Sequence, residues 1–183
     1  TEVTWPVGWQ IFYEGKNATL HSLWGLTTQE TEVWPVQTFI RGRWLTPEDH
    51  LVIILSNTTA QTLGVSIGEK INMVGADWTV IGIADDVMGD VRDLDGQGVT
   101  PLKLNIPGRN PYDIHVPMYD TAIIPYRDAL ALEGQIASIS IVPKDPAQAQ
   151  GIGRDTFKFF SELFVYSCTP DSKVWIQTYA KGI

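Results

Sequence analysis

Gly42-Arg43-Trp44-Leu45-Thr46-Pro47-Glu48-Asp49-His50-Leu51-Val52-Ile53-Ile54-Leu55-Ser56 sets a glycine break, a helix-start signal and an unbroken aliphatic run in close succession. The run Leu51 to Leu55 has the length and make-up of a buried strand. It is far short of the roughly 20 apolar residues that a membrane-spanning helix needs. Thr46, with Pro47 at the first helical position and Glu48 and Asp49 in the first turn, predicts a helix start that yields about one turn. Ser56-Asn57-Thr58-Thr59 then supplies capping oxygens to a short helix over 59–63, which Gly64 stops. Gly68-Glu69 turns into a strand over 70–74, and Gly75-Ala76-Asp77 joins that strand in a hairpin to another over 78–84. The centre of the chain is a β-rich module with one small helix.

Upstream, residues 9–14 read as a strand, Gly15-Lys16-Asn17 as a turn and residues 18–26 as the returning strand. Residues 27–36, with Pro35, read as a loop or short helical turn. Downstream, residues 85–111 are punctuated by Gly, Asp and Pro, a long connection with a single strand near 102–106. Residues 114–118 read as a strand end, followed by a short helix starting before Pro125. Residues 137–142 alternate as a half-buried strand. Asp145-Pro146 opens a helix whose stripe is Ile152, Thr156, Phe159, Phe160 and Leu163, and a strand over 173–179 closes the chain.

The composition fits a globular protein long enough to bury a core: 183 residues, 44% hydrophobic and 19% charged. A net charge of -8 with 13 scattered bases argues against nucleic acid as a partner. Cys168, the single cysteine, makes neither an internal disulfide nor a zinc site by itself. The chain opens Thr-Glu-Val-Thr-Trp, without a basic segment and apolar stretch, and is expected to be a piece of a larger protein. Five of its seven tryptophans, Trp5, Trp9, Trp24, Trp34 and Trp44, fall in the first quarter and read first as core packing.

Catalytic signals are sparse. His21, His50 and His115 are not spaced as metal ligands, and no nucleophile elbow, Cys–His pairing or phosphate-binding glycine loop is present. The chain is therefore expected not to be an enzyme and to carry no cofactor. Asp85, Asp86, Asp90, Asp93 and Asp95 crowd one loop, and hard oxygens at close spacing suit calcium. Asp93 and Asp95 are the candidate ligands, yet Val91 stands where a third oxygen belongs and no Glu follows at the required spacing. A solvated acidic loop is the simpler reading, and a calcium-dependent binding module the alternative. Asn17-Ala18-Thr19 and Asn57-Thr58-Thr59 match the glycosylation pattern, which is too common to count.

Gly25-Leu26-Thr27-Thr28, the Gly42 to Asp49 segment, Val52-Ile53-Ile54-Leu55-Ser56, Leu63-Gly64, Ser66 to Ile71 and Trp78-Thr79-Val80-Ile81-Gly82-Ile83 follow one another in an order that resembles MacB-like periplasmic core domains. These are extracytoplasmic domains of FtsX-like ABC transporter permeases. Val116-Pro117-Met118 with Thr121-Ala122 is similar to a later segment of the family. The resemblance implies an α+β chain of two subdomains. A β-rich, sabre-like middle (about 41–120) is inserted in an αβ porter-like subdomain (about 1–40 and 121–183). It implies structural roles for Gly42, Arg43, Trp44, Gly64, Gly68 and Gly82, no catalytic residue, and ATP hydrolysis in a separate part of the transporter. The implied partners are membrane helices, the ATP-binding subunit or domain, and periplasmic or outer-membrane proteins. The implied location is the outer side of a bacterial inner membrane. Residues 85–98 match no motif of the family.

Overall fold

The computed structural model describes residues 2–92, 98–101, 115–134, 136, 138–159, 163–167 and 176–180. A long hairpin comes first, β1 (Glu2–Tyr13) against β2 (Lys16–Leu26), turned by Glu14 and Gly15, both left-handed. Helix α1 (Glu30–Val33) and a 3-10 turn over Val36–Phe39 lead to β3 (Ile40–Gly42). Strand β4 (Val52–Ser56) feeds α2 (Asn57–Leu63); β5 (Lys70–Met73) and β6 (Ala76–Ala84) form the second hairpin. Beyond 3-10 turns over Asp86–Asp90 and Met118–Asp120 lie β7 (Thr121–Pro125) and α3 (Tyr126–Ala131). The last elements are β8 (Ser138–Ile141), α4 (Ala149–Phe159), β9 (Leu163–Ser167) and β10 (Ile176–Ala180).

The first seven strands make one mixed sheet in the order β3-β6-β4-β7-β2-β1-β5, and β5 also pairs with β6. Six strands thus close a ring, β6-β4-β7-β2-β1-β5, with β3 laid against the second half of β6. A closed ring satisfies backbone donors and acceptors that an open sheet would leave on its edges. Strands β8, β10 and β9 form a separate antiparallel sheet with α4 beside β9.

The strand alternation splits the core in two. Ile11, Leu20, Ile53, Leu55, Ile71, Met73, Trp78, Val80, Ala122 and Ile124 pack inside the ring. Helices α2 and α3 follow antiparallel strands, so they start from opposite ends of the ring, and Ala60, Leu63 and Ala129 join the inner cluster. Val52, Ile54, Ile81 and Ile123 face outward under Val36, Leu45, Met88 and Met118. Trp24 and Trp34 stack there at 6.2 Å between ring centroids, so two of the clustered tryptophans are packing residues, as expected.

The content is mixed helix and strand, as expected. Strands β4, β5 and β6 share one ring with β1, β2 and β7. Several expectations change. Residues 121–125, expected to follow a helix start, are strand β7, fully buried between β4 and β2. Pro125 deceived because it ends the strand and precedes α3, where its missing N–H costs nothing. The Thr46-Pro47 signal gives a turn without a helix. The acidic connection begins as a 3-10 turn capped by the Asp85 side chain on Val87 N. The expected strand over 102–106 lies outside the described residues.

The β5–β6 turn is tighter than the sequence suggested, with Val74 and Gly75 alone at its tip, φ 54° and 73°. This double left-handed turn favours Asn-Gly, and a β-branched residue in it is strained by about 1–2 kcal/mol. Val74→Asn is expected to stabilise the protein by about 1 kcal/mol, raising the melting temperature by about 2–4 °C in far-ultraviolet circular dichroism. An unchanged or lower midpoint would show that the tip is not strained.

Candidate functional site

The Gly-Arg-Trp segment is a junction. Gly42 pairs with Gly82 where β3 meets β6, and a Cβ on Gly42 would run into the Ile81 carbonyl. A Cβ on Gly82 would lie 2.9 Å from the Ile40 side chain and 3.2 Å from the Arg41 carbonyl. Neither position has room for a side chain, and Gly42 (φ 105°) also takes a backbone conformation foreign to other residues. Arg43 N–H donates to the Ile81 carbonyl at 3.1 Å, anchoring the chain as it leaves the strand.

From there the Arg43 guanidinium forks onto Asp49, at 2.6 and 2.7 Å, and donates to the Trp44 carbonyl at 3.0 Å. The Asp49 side chain is 9% exposed and also accepts from Thr46 N at 2.7 Å. The Thr46-Pro47-Glu48-Asp49 stretch is therefore a turn held by its own aspartate. Hydrogen bonds from Arg43 hold the Asp49 carboxyl below the ordinary carboxylate range, against the opposing effect of burial. The same pair raises the Arg43 guanidinium. Trp44 and Leu45 pack into the outer cluster.

The next link was not legible in the sequence. Asp128, on α3 and 4% exposed, meets His50 Nδ1 and accepts from Leu51 N at 2.9 Å. Leu51 is left-handed at φ 51°, which turns its N–H to that carboxylate just before β4 begins. An acid in the first turn of a short helix reads in sequence as a solvated group favoured by the helix dipole. Nothing in the sequence pairs it with a loop 77 residues away.

The other expected positions are scattered. Gly64 is the left-handed stop of α2, beneath Lys16 Nζ. Gly68 N donates to the Val80 carbonyl at 2.7 Å. His21 lies 3.1 Å from Asp120, and His115 Nδ1 donates to the Thr100 carbonyl at 2.5 Å. Ser56 caps α2 at Thr59 N, and both hydroxyls donate to the Tyr119 carbonyl, at 3.2 and 2.9 Å. Asp93 and Asp95 lie outside the described residues. Among the described residues no hydroxyl or thiol bonds a histidine, and no three His, Cys, Asp or Glu side chains gather to hold a metal. Two carboxylates fix residues 43–51 to β3, β6 and α3.

The profile of the MacB-like periplasmic core domain matches residues 2–155. The chain belongs to that family. It is thereby an extracytoplasmic domain of MacB-like ABC transporters. Two solved structures are similar. One is the periplasmic region of MacB from Actinobacillus actinomycetemcomitans, at 17% identity and TM-score 0.46, with 74% of this chain and 50% of that chain covered. The other is the extracellular domain of the noncanonic ABC-type transporter YknZ from Gram-positive bacteria. Its identity is 15% and its TM-score 0.47, with 88% of this chain and 76% of that chain covered. The chain spans half the length of the MacB region it matches. No curated protein matches it. Among the described residues no helix is long and apolar enough to cross a membrane.

Asp49→Asn is expected to cost about 1–2 kcal/mol at pH 7 by removing a charge-assisted fork. Because the folded carboxyl is lowered, its contribution is complete above the unfolded value of 3.8 and disappears as pH falls through the folded value. The gap between wild type and variant in urea titrations should therefore be full at pH 7 and narrow below about pH 4. A gap independent of pH would refute the pairing. Asp128→Ala strands the Leu51 N–H and is expected to cost about 1–3 kcal/mol in the same titration, with Asp128→Asn recovering part of it.

Proposed function

We propose that this domain is a binding and transmission module of an ABC transporter permease and has no catalytic role of its own. It couples ATP-driven motion of the membrane helices to substrates or partner proteins outside the inner membrane. ATP hydrolysis takes place in a separate subunit or domain of the transporter, and this module works without a cofactor. Family membership supports the setting. The observation that carries the mechanical half is the closed ring of six strands. A ring without edges, plugged by α2 and α3 and cross-tied by Asp128, moves as one body, because shearing any strand breaks hydrogen bonds on both of its sides. The Arg43–Asp49 turn and the Leu51–Asp128 bond join β3, β4 and α3 into that body.

The test uses the intact transporter in lipid. A spin label at the exposed Gln61, as Gln61→Cys in a background cleared of other cysteines (Cys168→Ser among them), reports its distance from a second label on the ATP-binding subunit or domain by double electron–electron resonance. Trapping the ATP-bound state is expected to shift that distance by several Å relative to the nucleotide-free state, on the scale of rigid-body domain movements. Identical distance distributions in the two states would rule out transmission through this module.

A further inference from the structure

Between the end of β3 and the start of β4 lies a loop bonded mostly to itself. Arg43 N–H makes the last bond to β6, and Val52 begins β4. Between them the Arg43 fork closes onto Asp49, whose carboxylate accepts from Thr46 N and whose own N–H donates to the Thr46 carbonyl at 3.2 Å. Among the described residues no backbone group from 44 to 50 bonds another element. The loop is tied to the rest of the fold at two places: Trp44 and Leu45 pack on the outer cluster, and Asp128 holds His50 and Leu51. Thr46, Pro47, Glu48 and His50 are exposed. A compact surface loop with its own internal bonds is the kind of segment that opens as a unit while the rest of a fold stays closed.

We propose that residues 44–50 form a hinged cover over the outer cluster, which lifts as one body about Arg43 and Leu51 and is latched shut by Asp128. Two independent features make its closure costly. Leu51 is left-handed at φ 51°, a conformation that a branched aliphatic residue seldom takes, and strain of this kind collects at segments that switch. The Trp44 indole N–H is buried and has no acceptor among the described residues, although a buried indole ordinarily finds one. One movement relieves both. When Asp128 releases the Leu51 N–H, Leu51 is free to extend, with its carbonyl still accepting from Thr79 N at 2.9 Å, and the indole N–H reaches water.

The ring stays closed in both states, because no strand pairing passes through residues 44–50. The bonds inside the cover also survive, since the Arg43 fork and the Thr46 turn lie within it. What opening uncovers is apolar: Trp44 and Leu45 belong to the cluster that holds Val52, Ile54 and Ile81. The latch itself stands on α3, directly after β7, so a displacement of that helix changes how often the cover lifts. The closed form is the major one, and the open form is a minor state that a movement at α3 populates.

This movement is a property of the chain alone and is independent of the transporter reading. Hydrogen exchange of the ¹⁵N-labelled protein tests it at two reporters, the Leu51 N–H and the Trp44 indole N–H, which lie at opposite ends of the cover and share no partner. Both are expected to exchange with one common opening constant, at least about a hundredfold more often than the amides of β4 and β7, which wait for global unfolding. Asp128→Asn is expected to raise both opening constants about tenfold, although no bond of Asp128 reaches the indole. His50→Ala, at a side chain 72% exposed, puts the same question in a variant whose fold is not at stake, with a rise of about threefold at both reporters. Phe12→Ser, at an exposed position on β1, should leave both unchanged. Exchange of either reporter only together with β4 and β7 overturns the proposal. So does a variant in which Leu51 responds and the Trp44 indole does not, which would reduce the Asp128 bond to a local contact.

Discussion

One extra residue in β6 organises the ring. β4 runs parallel to β6 in register until Ile53 faces Val80, and then Ile54 faces Gly82, with Ile81 left over. Without that bulge, alternation would send Ile83 outward and Ala84 inward. With it, Ile83 joins the inner cluster and Ala84 the outer one. The bulge also divides the opposite side of β6, so that β5 pairs with residues 76–79 and β3 with residues 82–84. The missing side chains of Gly42 and Gly82 let β3 approach at that point. Ring closure, the placement of Arg43 and the two-sided core all depend on this irregularity.

Local structure was largely readable from the residues. The aliphatic run of β4, the Ser56 cap and Gly64 stop of α2, and the first hairpin's turn sit where propensity and turn chemistry put them, because each is decided by neighbours in sequence; the second hairpin is where expected, with a tighter turn. The errors were nonlocal. Thr121-Ala122-Ile123-Ile124-Pro125 is too short and too uniformly apolar to show a period, and its strand identity comes from β2 and β4 on either side. Strand β9 begins at Leu163, the last residue of the expected helix stripe, since Leu163 extends that stripe as well as it begins a strand.

The junction was legible in part. Gly42, Arg43 and Gly82 stood out as architectural, and they meet within one pair of strands. The carboxylates that complete the junction were less visible. In sequence Asp49 reads as a helix-start acid, and in the fold it receives the Arg43 fork; a carboxylate three residues after Thr46 serves a turn as well as a helix. Asp128 carried no signal at all, because a buried acid is recognised by its partners and these lie in another part of the chain.

Ring closure also dictates an order of events during folding. The hairpin of β1 and β2 can form as soon as its residues exist, but β2 finds its second neighbour only at residues 121–125, and β1 finds its own at residues 72–73. A chain that emerges N-terminus first must hold both outer sides of this hairpin unpaired while the rest of the ring is still being made. Such distant pairings slow folding and leave strand edges open to mispairing in the interval. The hairpin is thus a segment that stays exposed to mispairing until the ring closes. A truncation that removes β7 would leave β2 permanently without its partner, in a chain whose local elements are otherwise intact.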